Sequence, residues 1–250
     1  MLVLYVFGRH PSHNFTYSLA LQQEAAEWND VIALPMNEGR PSTNKTVGGG
    51  LKWGNEAEIG LSRKVFLWFD MALRAKADDD SFLRVPQYLA DLRTLPRRGL
   101  YWGLPVDATA RKNNVTIPFY YFSGMLYTLA RDVVQQLVSF EPVRRLVDVP
   151  YNNETEIEFF KFSMTAEDVM VGHLLRLEVR YPSMVFVEDG WCRYHVGLGW
   201  KGELVATPKS LALHIPPEDS YAKLLDFFGS NVSNTSYWRW YNNGLIKLVC

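Results

Sequence analysis

Three aspartates in succession, Asp78, Asp79 and Asp80, stand between Lys76-Ala77 and Ser81-Phe82. Clustered carboxylate oxygens suit hard divalent cations such as Mg²⁺ or Mn²⁺, which in turn hold diphosphates. A second acidic pair, Glu167-Asp168, opens the run Glu-Asp-Val-Met-Val-Gly. His214 is the third titratable feature, following the apolar Leu211-Ala212-Leu213 and preceding Ile215-Pro216-Pro217. Each also has a plainer reading. Acid runs before a helix are commonly solvated loops or caps, and an acidic pair suits a helix start, where the macrodipole favours it. A lone histidine is commonly a satisfied structural residue.

Together and in this order, these features resemble the β-1,3-galactosyltransferase and N-acetylglucosaminyltransferase superfamily, and within it most closely the trypanosomatid branch. Leu61-Ser62-Arg63-Lys64 resembles the helix start before the family's metal motif, and Lys76 to Phe82 resembles the motif itself. Pro86-Gln87-Tyr88-Leu89 and Tyr101-Trp102-Gly103 follow as they do in the family. The run Pro118-Phe119-Tyr120-Tyr121-Phe122-Ser123-Gly124-Met125-Leu126-Tyr127 is similar to its tyrosine-rich sugar-site segment. Residues 167–172 resemble its Glu-Asp-Val motif, and His214 sits where a late metal-ligand histidine is expected. The likeness spans roughly residues 2 to 225.

The resemblance implies an α/β fold: a single nucleotide-sugar-binding domain of GT-A type over residues 1–250, with a mixed central sheet. It implies that Asp80 and His214 ligate a divalent cation, Mn²⁺ or Mg²⁺, bridging the diphosphate of a UDP-sugar. Asp78 would contact the ribose or support the metal shell, and Asp79 would lie beside the donor sugar. Ser123 and Gly124 would permit close approach of donor and acceptor. Asp168 would be the general base, positioned by Glu167. The implied reaction is inverting transfer of a hexose or N-acetylhexosamine, from UDP-galactose or UDP-N-acetylglucosamine, to a glycan hydroxyl with a β-1,3 linkage. The alternative is a relative that keeps the fold and binds UDP or glycan without catalysis.

The chemistry stands on physical grounds too. Inversion needs a hydroxyl attacking the anomeric carbon opposite the leaving group, and one carboxylate within hydrogen-bond reach can take its proton. The leaving UDP gains charge that a dication stabilises. A glycoside hydrolase would use two carboxylates flanking the bond instead.

Alternating strands and helices must position these residues. Residues 2–7 (LVLYVF) predict a first strand and 19–28 a helix, with Thr16 or Ser18 as cap. A second strand, 31–34, is expected to stop at Pro35, and 37–50 reads as a loop with three consecutive glycines. Helices are predicted over 61–73 and 86–95, and strands over 100–104 and 119–122. A helix over 128–138, another over 167–177 and a strand over 184–187 follow, while the chain beyond Pro216 resists assignment. The family normally has a longer approach to its metal motif. Here only Arg74-Ala75-Lys76-Ala77 intervene, none a strong strand former, so either residues 66–69 are recruited as strand or the strand is truncated.

With 48% apolar and 21% charged residues the 250-residue chain is globular, and a net charge of −1 gives no electrostatic footprint for nucleic acid or anionic membrane. Six N-x-S/T triplets begin at Asn14, Asn44, Asn114, Asn153, Asn231 and Asn234, which favours a secreted or luminal protein. The expected location is the Golgi or ER lumen. Residues 2–7 are too short and lack the flanks of a signal or anchor, so a membrane anchor is expected only in a longer form. Two cysteines, Cys192 and Cys250, fit one disulfide or two buried thiols.

Overall fold

The computed structural model describes residues 5–41, 45–47, 51–72, 76–77, 81–112, 115–196, 205–214, 220–233, 237–241 and 244–249. In chain order the elements are β1 (Tyr5–Arg9), α1 (Leu19–Trp28), β2 (Val31–Asn37), β3 (Lys45–Val47), β4 (Leu51–Trp53), α2 (Asn55–Ala72), β5 (Lys76–Ala77), β6 (Ser81–Leu83) and α3 (Val85–Leu92). There follow β7 (Leu100–Lys112), β8 (Val115–Leu129), α4 (Arg131–Val138), α5 (Glu141–Val147), α6 (Glu156–Lys161) and α7 (Glu167–His173). The chain ends with β9 (Val185–Glu188), β10 (Tyr194–Val196), β11 (Ala212–His214), α8 (Ser220–Phe228), β12 (Tyr237–Tyr241) and β13 (Leu245–Val249). The fold is α/β with mixed sheets. Residues group into two compact units, one of Met1–Leu73, Thr109–Phe119 and Gln135–Val179, the other of Arg74–Ala108, Tyr120–Val134 and Arg180–Cys250. No helix among the described residues is long and apolar enough to cross a membrane.

In the first unit β1 and β2 run parallel, and α1 supplies the crossover that a parallel pair requires. Ser18 caps α1, its hydroxyl accepting from the Leu21 amide at 3.2 Å, and Asn29 ends it in a left-handed turn at φ 50°. Pro35 does not stop β2, which continues to Asn37. The pairing slips between Phe7 and Arg9, opposite Ala33 and Asn37, and an irregular edge of a two-stranded sheet tolerates a residue without an amide hydrogen. The expected loop over 37–50 holds β3, paired antiparallel with β4; residues 48–50, the glycines, lie outside the described residues.

Helix α2 begins at Asn55 rather than 61, with Glu56 and Glu58 in its first turn. Its buried residues Ile59, Ser62, Phe66 and Phe69 recur at helical spacing and face α7. The Ser62 hydroxyl donates to the Met164 carbonyl at 2.7 Å. Gly39 and Gly60 permit the chain after β2 to lie against α2. A Cβ on Gly39 would come within 1.9 Å of the Glu56 carbonyl oxygen. Helices α5 and α6 are too short to show a clear period in sequence, yet they bury Val143, Leu146, Val147 and Phe159.

The second unit holds a six-stranded sheet in the order β12-β13-β9-β7-β8-β5 and a three-stranded sheet in the order β10-β11-β6. β7 runs parallel to β9, and β9 to β13. Neighbouring β7 and β8 are separated by only two residues, which permits an antiparallel pair alone. β5 is antiparallel to β8 and therefore points the same way as β7 and β9.

Here the structure corrects several boundaries. The strand expected over 100–104 runs to Lys112, and the one over 119–122 extends through Ser123 and Gly124 to Leu129. Thr128 and Leu129 are strand, and α4 starts at Arg131; the Ala130 amide donates to the Leu100 carbonyl at 2.8 Å. Ladder pairing along β8 has overridden the helical spacing of its last residues. The predicted helix over 86–95 stops at Leu92, and the strand over 184–187 is Val185–Glu188. Of the two options for the approach to the acid run, recruitment of residues 66–69 as strand is excluded, and a short strand is found among the described residues. α2 persists to Ala72, and β5 is two residues long, held against β8 at Tyr127 and Leu126. The unassigned C-terminal region supplies α8, β12 and β13.

Beneath the six-stranded sheet lies a buried polar cluster. Trp102, stacked on Tyr88 at 5.5 Å, donates through Nε1 to Asp189 Oδ2 at 3.0 Å. Arg193 pairs with Asp189 at 3.4 Å and donates to Asp91, which also accepts from Gln87 at 2.9 Å. Gln87 in turn accepts from the Ser233 amide and hydroxyl at 2.8 and 2.9 Å. Arg84 lies over the Phe228 ring at 4.7 Å and donates to the Asn231 carbonyl at 2.8 Å.

Candidate functional site

In the first unit Glu167 and Asp168 open α7, as expected from sequence. Glu167 is buried, whereas Asp168 is half-buried and accepts from the Val169 amide at 2.8 Å. Two contacts fix this corner of the chain. Ser163, in a left-handed conformation at φ 57°, places its hydroxyl 2.8 Å from His173 Nδ1, which ties the approach to α7 to the helix end. His173 also lies 5.6 Å from the Phe119 ring and 3.8 Å from Glu178. Strain at a non-glycine residue in this region costs on the order of 1 kcal/mol, which the buried histidine contact offsets. Beyond His173 the helix loosens into a π turn over Leu174–Glu178 instead of continuing regularly to 177.

The same unit carries an open cavity of about 600 Å³ at the carboxyl ends of β1 and β2, lined by His10, Phe15, Arg40 and neighbouring residues. The Arg40 guanidinium lies 5.2 Å from the Phe15 ring centre. Ligands of open α/β sheets collect beyond the carboxyl ends of parallel strands. Sequence reasoning missed these residues. The signal available was a strand ending directly before a histidine-, asparagine- and aromatic-bearing turn.

In the second unit Ser123 and Gly124 lie within β8, not in a loop after it, with Ser123 half-buried and Gly124 buried. Ser123 Oγ accepts from the Met125 amide at 3.4 Å. They are three and two residues, respectively, along the strand from Leu126, the partner of Ala77 on β5. Asp78, Asp79 and Asp80 lie outside the described residues, but the chain on either side is fixed. Before them β5 is paired to β8 as the last strand in the order of the six-stranded sheet; after them Ser81 is paired, antiparallel, with His214 on β11. Directly paired residues of such a ladder have Cα atoms about 4.5–5.5 Å apart and side chains on one face. Thus the residue that follows Asp80 stands beside His214.

The two faces of this ladder differ. Phe82 and Leu213, the adjacent pair, are buried with Leu224 and Phe228 against α8. Side chains alternate along a strand, so Ser81 and His214 project from the opposite face. Ser81 Oγ is buried and has no hydrogen-bond partner. Among the described residues no group of three or more His, Cys, Asp or Glu side chains is arranged to hold a metal ion, and the three aspartates are not among those residues.

Cys192, in the turn before β10, is disulfide-bonded, and the chain has one other cysteine, Cys250. Of the glycosylation triplets, Asn14, Asn153 and Asn231 fall in the described residues and all three are exposed. Comparison with known proteins adds no relative: no family model, no curated protein and no solved structure matches this chain.

Proposed function

We propose that the chain is a GT-A-type glycosyltransferase domain that transfers a hexose or N-acetylhexosamine from a UDP-sugar to a glycan hydroxyl with inversion. The observation that supports the reading is the pairing of His214 with Ser81, the residue that follows the acid run in sequence. An imidazole nitrogen with carboxylate oxygens is a donor set that suits Mn²⁺, and the unsatisfied Ser81 hydroxyl next to it marks a polar site awaiting a partner. Asp80 and His214 would hold the cation, with Asp78 and Asp79 toward the ribose and donor sugar. When bound, the cation offsets the charge gained by the departing diphosphate.

The protein's own groups do the rest. Asp168 is assigned the acceptor proton: as the hydroxyl oxygen bonds to the anomeric carbon, the bond to UDP breaks and UDP leaves with its electron pair. Glu167, buried at the same helix start, positions Asp168. Ser123 and Gly124 present a small surface for the two sugars. A disulfide at Cys192 and three exposed glycosylation triplets support a luminal protein.

Calorimetric titration with UDP, with and without Mn²⁺, tests the reading. UDP should bind in the presence of Mn²⁺, and His214→Ala should weaken that binding about tenfold or more. Metal-independent binding, or none, would sink the donor-site assignment. Tight metal-dependent binding without transfer to any acceptor would leave the non-catalytic alternative.

A further inference from the structure

The Ser81 hydroxyl is buried and unpartnered, yet it belongs to a strand whose other face is well packed. A buried hydroxyl without a hydrogen bond is destabilising, and native proteins keep few of them. A simple packing role would be met by alanine. The geometry points to a ligand contact. Ser81 and His214 are paired across β6 and β11, so their side chains share one face, away from Phe82, Leu213 and α8. His214 is the imidazole assigned to the diphosphate-bound cation, and this step rests on that assignment.

We infer that Ser81 is a diphosphate-binding residue: its hydroxyl donates a hydrogen bond to a diphosphate oxygen of the bound UDP. A serine hydroxyl can donate one proton, and an anionic phosphate oxygen is a stronger acceptor than a neutral carbonyl. The hydroxyl is unsatisfied in the free protein because its acceptor arrives with the substrate. Ser81 therefore contributes to UDP affinity at a cost to the stability of the unliganded fold.

Three variants and two readouts test this. Ser81→Ala should leave the melting temperature of the ligand-free protein unchanged or raise it, since it removes an unsatisfied buried group. With saturating Mn²⁺ it should weaken UDP binding about tenfold. Ser81→Thr, which keeps the hydroxyl on a β-favourable side chain, should restore most of the affinity. His214→Ala, assayed beside them, should weaken UDP binding through the cation. If wild type and Ser81→Ala bind UDP equally, the Ser81 contact is refuted while the donor site stands. A drop in the ligand-free melting temperature of Ser81→Ala also refutes it, because the hydroxyl then has a partner within the protein. Absence of Mn²⁺-dependent UDP binding in the wild type removes both this inference and the donor site.

Discussion

Acidification from pH 7.5 to pH 5 should stabilise the folded protein through Asp189. Its carboxylate is fully buried and accepts from Trp102 Nε1 at 3.0 Å and the Gly190 amide at 2.9 Å, with Arg193 at 3.4 Å. Burial outweighs these favourable partners and lifts its pKa from 3.8 to about 6. The folded state therefore keeps a proton that the unfolded chain has lost between those values. The stabilisation is full below 3.8 and disappears as pH rises through about 6. The whole effect is about 3 kcal/mol, of which about 1.4 kcal/mol lies between pH 7.5 and 5. His195 acts in the opposite direction. Burial depresses its pKa below 6.5, so its contribution is present above that value and is lost on acidification. Asp189→Asn cancels that background, because the asparagine variant retains His195 but cannot titrate at position 189. Urea unfolding followed by tryptophan fluorescence at pH 5, 6 and 7.5 gives both curves. Wild type should gain about 1.4 kcal/mol on Asp189→Asn between the extremes. A difference that stays constant with pH would refute the argument that Asp189 is charged against its surroundings at neutral pH.

Asp168→Asn should reduce sugar transfer at least about a hundredfold, the lower range for loss of a general base, while UDP affinity by calorimetry stays at the wild-type value. Unchanged turnover would remove Asp168 from its assigned role. Gly39→Ala should destabilise the fold by about 1–3 kcal/mol in denaturant titration, because the new methyl group meets the Glu56 backbone at 1.9 Å and backbone cannot step aside.

The presence of α1, α2, α3, α4 and α7 was legible because apolar spacing is strong where one face is buried, as at Phe66 and Phe69, although α2 starts six residues earlier and α4 three residues later than the spacing alone suggests. Misreadings arose where pairing, not local propensity, decided the outcome. Pro35 sits on an irregular edge that spares it a lost hydrogen bond, and Thr128-Leu129 are held in β8 despite helical spacing. Lys76 and Ala77 are poor strand formers, yet β8 offers them a ladder. Of the candidate site, the positions of Glu167-Asp168 at a helix start and of His214 on a strand were readable from local pattern. The partnership of His214 with Ser81 was not, since it joins residues far apart in the chain. Nor was the buried ion cluster of Asp91, Asp189 and Arg193, because charged residues give no sign in sequence of being enclosed.

Phe82 and Ser81 face opposite sides of the short ladder between β6 and β11, one packed with Leu213, Leu224 and Phe228 and the other shared with His214. Because side chains alternate, a slip of that pairing by one residue would carry the Phe82 ring to the polar face and the Ser81 hydroxyl into the packing against α8. The aromatic ring thus acts as a register pin for its polar neighbour, and a change at Phe82 would disturb the position of Ser81 without touching it.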